Sequence, residues 1–144
     1  MTDQPPKKLK KLRSKSDKAA ATRILYVEDA EVIRHTVSRL LELNGYKVAY
    51  AKNGEEGVEM THRWKPQVVL MDLRMPVMDG YKAISQIKSD PRTNHIPVFV
   101  ISAWSSNKER ARARKAGADD FFVKPPDLNK LIDTIEKAIA DPKK

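Results

Sequence analysis

Five polar residues close four apolar runs of this chain, and their types suggest a shared chemistry. "ILYVED" ends in Glu28-Asp29, "VVLMD" in Asp72, "IPVFVIS" in Ser102 and "DDFFVK" in Lys124. A carboxylate at the end of a core-forming run is costly, so Asp72 must face solvent, meet a cation or shift its pKa. If the runs are strands whose ends meet, Glu28, Asp29 and Asp72 would repel one another unless a cation sat among them. Oxygen donors with open positions suit Mg²⁺, which takes one or two carboxylates, a carbonyl and waters. Asp72, at the centre, could then attack phosphorus and form an aspartyl phosphate. Such a transfer needs the nucleophile in line and the equatorial oxygens neutralised. The metal, the Lys124 ammonium and the Ser102 hydroxyl would each serve one of those oxygens.

The elements that would position these groups are legible as two alternating periods. "ILYV" (24–27), "YKVAYA", "QVVLM", "IPVFVIS" (96–102) and "DDFFV" read as strands. Between and after them, helical spacing runs through "EVIRHTVSRLLELNG", "GEEGVEMTHRW", "YKAISQIKSD", "SSNKERARARKAGA" and "DLNKLIDTIEKAIA". Asn44-Gly45, Pro66 and Gly117 supply stops, and Asp127 an N-cap for the last helix. Continuous apolar strands, each followed by a helix, indicate a parallel sheet covered on both faces. The expected fold is therefore α/β, a doubly wound five-stranded parallel sheet. In such sheets the ligand site lies off the carboxyl ends of the strands, where the polar residues are found.

Composition narrows the function classes. The 144 residues suit one domain with a proper core. Cysteine is absent, which excludes disulfides, thiolate metal sites and cysteine nucleophiles. No apolar run approaches the length of a spanning helix, and the N-terminus lacks the apolar centre of a secretory signal, so a cytoplasmic location is expected. Residues 1–22 carry Lys7, Lys8, Lys10, Lys11, Arg13, Lys15 and Lys18 against Asp3 and Asp17, more than half of the +9 net charge. With Pro-Pro and few large apolar residues, this segment reads as a disordered basic tail preceding a domain over 23–141. It could serve as an arm for nucleic acid or an anionic surface, although no reading motif accompanies it.

"ILYVEDAEVIR", "VVLMDLRMPVMDG", "IPVFVISA" and "AGADDFFVKP", in this order and spacing, resemble a response-regulator receiver domain of two-component signalling, with its flavodoxin-like fold. The resemblance covers about residues 23 to 141. It implies that Asp72 accepts the phosphoryl group. Asp29 would be a direct Mg²⁺ ligand, Glu28 would act through water, and the Arg74 backbone carbonyl would add a further ligand. Ser102 would be the switch hydroxyl, Ala103 the small residue giving access, and Lys124 the phosphate-binding lysine beside a cis bond to Pro125. A histidine kinase or phosphotransfer protein would be the donor. Output would pass to a protein target through the fourth helix, fifth strand and fifth helix. The domain would be a switch rather than an enzyme, catalysing only its own phosphorylation and dephosphorylation. Two departures bear on switching: Phe121 stands where a tyrosine is frequent, and Ser102 where threonine is. The bulky Trp104 suggests restricted water access and slow loss of the phosphoryl group. Arg110 and Arg114 give the fourth helix a basic surface suited to an acidic partner.

Other readings are a fragment of a larger response regulator or hybrid histidine kinase, and an aspartyl-nucleophile phosphatase. The phosphatase would need a second acid two residues after the nucleophile, where Arg74 stands. His35, His62 and His95 show no metal-ligand spacing and are read as structural or solvated.

Overall fold

The computed structural model describes residues 22–75 and 77–141. The basic segment thus lies, except for Thr22, outside the described residues. Thr22 itself is buried, and its carbonyl accepts the Lys47 N–H at 3.0 Å.

Five strands, β1 (Arg23–Val27), β2 (Lys47–Ala51), β3 (Val68–Met71), β4 (Val98–Ser102) and β5 (Asp120–Val123), alternate with five helices. The helices are α1 (Glu31–Leu43), α2 (Gly54–Trp64), α3 (Gly80–Ser89), α4 (Asn107–Ala116) and α5 (Leu128–Ala140). All strand pairs are parallel, in the order β2-β1-β3-β4-β5. The chain leaves β1 towards one edge and β3 towards the other, so a crevice opens between the ends of these two neighbours.

The central strands β1, β3 and β4 bury both faces, which explains their unbroken apolar runs. Ile24 and Tyr26, Val68 and Leu70, Phe99 and Ile101 meet Val37 and Leu41 of α1 and Leu131, Ile132 and Ile135 of α5. The alternate residues Leu25, Val27, Val69, Met71, Val98 and Val100 meet Ile84 and Ile87 of α3 and Ala113 of α4. Caps set the helix starts. Asn53, Asp79, Ser106 and Asp127 each accept an N–H from the first turn of α2, α3, α4 and α5 respectively. Ser106 therefore caps α4, which begins at Asn107. Gly117, at φ 119°, ends it as expected.

Helix α4 is the least apolar of the five, with Ala113 alone buried among its ten residues. Arginine–aromatic stacking supplements its attachment: Arg110 lies over the Phe121 ring at 4.7 Å, and Arg112 over Tyr81 at 3.9 Å.

Candidate functional site

The register places the predicted acids together. Met71 pairs with Val27, so the residues that follow β1 and β3 emerge side by side. The Asp72 N–H donates to the Val27 carbonyl, and the Glu28 N–H to Ala51, which fixes both backbones as they leave the sheet. One oxygen from each of Glu28, Asp29 and Asp72 lies within 4.8 Å of the others. Glu28 is fully buried, Asp72 nearly so and Asp29 exposed, so the cluster opens to solvent on the Asp29 side. The donor set is oxygen only, with an open side, and fits a hard divalent cation such as Mg²⁺.

Lys124, from the loop after β5, reaches into the cluster. Its Nζ stands 2.7 Å from Glu28 Oε1 and 3.5 Å from Asp72 Oδ1. The ammonium is thus paired more closely with Glu28 than with Asp72, the acid the sequence suggested it would serve. Tyr26 donates its hydroxyl to Glu28 Oε1 at 3.4 Å, and the Ala30 N–H donates to Oε2 at 3.1 Å. Burial and the adjacent acids push the Tyr26 phenol well above its ordinary range, so it remains a donor.

Asp72 accepts the Leu73 N–H on Oδ1 at 2.9 Å. Burial first, then the Glu28 charge, pushes its carboxyl up from 3.8 to about 6, against the opposing pull of Lys124. Its charge is therefore retained at neutral pH at a cost. The cramped setting has a backbone origin too. A Cβ on Gly80 would lie 2.2 Å from the Asp72 carbonyl oxygen, so the start of α3 can approach the site only through glycine.

Ser102 ends β4, the strand beside β3, and is almost wholly buried. Its Oγ accepts the Trp104 N–H at 3.0 Å, which leaves the hydroxyl proton free for an acceptor and ties Ser102 to the loop before α4. Ala103 is exposed in that loop. The Lys124–Pro125 peptide bond is cis. Arg74 does not pair with the acids through its side chain. Its guanidinium lies 4.0 Å from the centre of the Trp104 ring. Phe121 is half-buried on β5 and, with Arg110 and Arg114, lines a cavity of about 140 Å³ between α4 and β5.

One contributor was missed by the sequence reading. Arg34 of α1 is 8% exposed, donates from Nη1 to the Glu28 carbonyl at 2.9 Å and stacks on Tyr50 at 4.1 Å. The signal was present: Arg34, Val37 and Leu41 share one helical stripe, and an arginine on the stripe facing the sheet needs an acceptor there.

Comparison with known proteins agrees with this fold. Residues 24–136 match the family described as response regulator receiver domain. The chain is 35% identical over 118 residues to protein PilH of Pseudomonas aeruginosa, covering 82% of this chain and 98% of PilH. It is 38% identical over 126 residues to the transcriptional regulatory protein PdtaR of Mycobacterium tuberculosis, covering 87% of this chain and 60% of PdtaR. Among solved structures, it resembles the receiver domain of a sensor histidine kinase from Pseudomonas aeruginosa, described with a magnesium ion coordinated in the active site cleft. That likeness has a TM-score of 0.78 at 28% identity, covering 83% of this chain and 98% of the other.

Proposed function

Since the chain belongs to the response regulator receiver domain family of two-component signalling, we propose that it accepts a phosphoryl group on Asp72 and signals through protein contacts made by α4, β5 and α5. The observation that carries this reading is the convergence of Glu28, Asp29 and Asp72 with the Lys124 ammonium at the crevice between β1 and β3.

The donor is a phosphohistidine of a histidine kinase or phosphotransfer protein. An Asp72 carboxylate oxygen forms a bond to phosphorus as the phosphorus–nitrogen bond breaks, and the freed imidazole takes its proton from solvent. Asp29, Asp72 and the Arg74 carbonyl, with Glu28 acting through water, would hold Mg²⁺, which when bound would supply charge neutralisation for the phosphoryl oxygens. Lys124 then shifts its contact from Glu28 towards the phosphoryl group, whose negative charge exceeds that of the carboxylate it joins. The Ser102 hydroxyl donates its free proton to another phosphoryl oxygen.

Because Ser102 holds the Trp104 N–H, a movement of Ser102 carries the loop before α4 with it. Helix α4 is lightly anchored and rests partly on Phe121 through Arg110, so a small bias at Ser102 can redistribute its positions. Arg110 and Arg114 then present charge to an acidic target. Receiver domains are signalling switches, and the described residues contain no helix long and apolar enough to cross a membrane. We assign the switch to the cytoplasm. In a second reading, which PdtaR's greater length favours, the domain is one module of a longer regulator or hybrid kinase.

Incubation with acetyl phosphate and Mg²⁺, followed by intact-mass measurement, tests the proposal. One added phosphoryl group is expected, absent in Asp72→Asn and absent when the metal is chelated. Equal labelling of Asp72→Asn would overturn it.

A further inference from the structure

A second place among the described residues holds positive charge without an ion-pair partner. Beyond the acceptor loop, a cleft of about 430 Å³ lies between the start of α3 and α4, with Arg74, Arg112, Tyr81 and Trp104 among its lining residues. The two guanidiniums lie over aromatic rings, Arg74 over Trp104 at 4.0 Å and Arg112 over Tyr81 at 3.9 Å. Stacking occupies the face of a guanidinium and leaves its N–H edge for planar oxygen acceptors. Among the described residues neither arginine makes an ion pair or a hydrogen bond to a side chain.

An independent observation concerns Tyr81. The residue is 6% exposed, and its hydroxyl is buried with no hydrogen-bond partner among the described residues. Leaving such a group unpaired costs about 1–3 kcal/mol. Burial first, then the Glu109 charge, raises its pKa above the ordinary phenol value, so it remains a neutral donor. Asp79 also lines the cleft, where its carboxylate accepts the Lys82 N–H as the α3 cap and leaves two guanidiniums to one acid; the nearby Glu109 carboxylate meets the Ser106 hydroxyl.

We propose that this cleft receives an acidic side chain of a partner protein, its carboxylate set against Arg74, Arg112 and the Tyr81 hydroxyl. The apolar surfaces of Leu73, Met75 and Trp104 in the same lining suit the aliphatic stem and neighbours of a peptide glutamate better than a hydrated free anion. The cleft uses none of the side chains of Glu28, Asp29, Asp72, Ser102 or Lys124, so this inference goes beyond the phosphoryl-transfer reading and does not rest on it.

The test is a fluorescence titration in a Trp64→Phe background, where Trp104 is the remaining tryptophan. The probes are the blocked peptide Ala-Leu-Glu-Leu-Ala, its glutamine counterpart, acetate and inorganic phosphate at matched ionic strength. The glutamate peptide should saturate the signal, and Arg112→Gln and Tyr81→Phe should each weaken it about ten-fold, the loss of one hydrogen bond to a charged group. The glutamine peptide should not saturate. The proposal is overturned if both peptides bind alike, if neither variant matters, if no probe saturates, or if acetate or phosphate saturates below the peptide. Acetyl phosphate labelling of the same samples separates the two readings. In the Trp64→Phe protein itself, labelling without saturable peptide binding sinks this inference alone, and peptide binding without labelling sinks only the phosphoryl-transfer reading.

Discussion

Replacing Asp72 by asparagine should stabilise the metal-free protein while abolishing its ability to be phosphorylated. Asn keeps the size of the side chain and an oxygen for the Leu73 N–H, but removes a charge that burial and Glu28 disfavour. The folded pKa is raised, so the carboxyl's unfavourable contribution is absent below its ordinary value, grows as pH rises from that value to the folded one, and is complete above it. With 3.8 as the ordinary value and about 6 in the fold, linkage gives a penalty of about 3 kcal/mol at pH 7 and about 0.5 kcal/mol at pH 4. Urea unfolding in EDTA, run from pH 4 to pH 7.5, measures this directly. Asp72→Asn should exceed the wild type by about 2–3 kcal/mol at pH 7, a midpoint rise of roughly 10 °C on heating. The advantage should shrink steadily as pH falls from 6 towards 4. Adding Mg²⁺ should stabilise the wild type more than the variant and narrow the gap. Equal stabilities across the pH range, or a more stable wild type in EDTA at pH 7, would refute the reasoning.

Three further outcomes follow from the geometry. Lys124→Met leaves Glu28 buried without its cation, and urea unfolding at pH 7 should show a loss of about 3 kcal/mol. Gly80→Ala puts a methyl 2.2 Å from the Asp72 carbonyl oxygen, so α3 must shift; a stability loss of about 2 kcal/mol or more and weaker Mg²⁺ binding by calorimetry are expected. Val77 is exposed at φ 71°, a left-handed conformation that penalises a β-branched residue, so Val77→Asn should raise the unfolding free energy by about 1 kcal/mol.

The sheet was readable because both faces of the three central strands are buried, which produces runs such as "VVLM" that no surface strand would tolerate. The same runs end on the acids, so the location of the site followed from the strand ends. What the sequence concealed were side-chain pairings between distant positions. Nothing in the order of residues says that Lys124 stands closer to Glu28 than to Asp72, since that depends on where the loop after β5 delivers one amine. Arg34 carried a readable sign, a charge on an apolar stripe, yet its acceptor is a backbone carbonyl and carries no residue signature. The stacks of Arg74 on Trp104, Arg110 on Phe121 and Arg112 on Tyr81 join elements that composition treats as a basic helix and scattered aromatics. Solvated lysines and stacked arginines look alike in a charge count. Only the fold distinguishes them, and it makes α4 an element supported by guanidinium contacts with little aliphatic packing.

The central claim is that the phosphoryl group resides on one particular carboxylate. Borohydride reduction converts an aspartyl phosphate to homoserine, so peptide mapping of protein treated with acetyl phosphate and Mg²⁺ reads the position directly. The account predicts homoserine at position 72 and at no other acid. Homoserine at Asp29, or 5-hydroxynorvaline at Glu28, in place of homoserine at position 72, or a map with no reduced residue in protein that gained a phosphoryl mass, would contradict it.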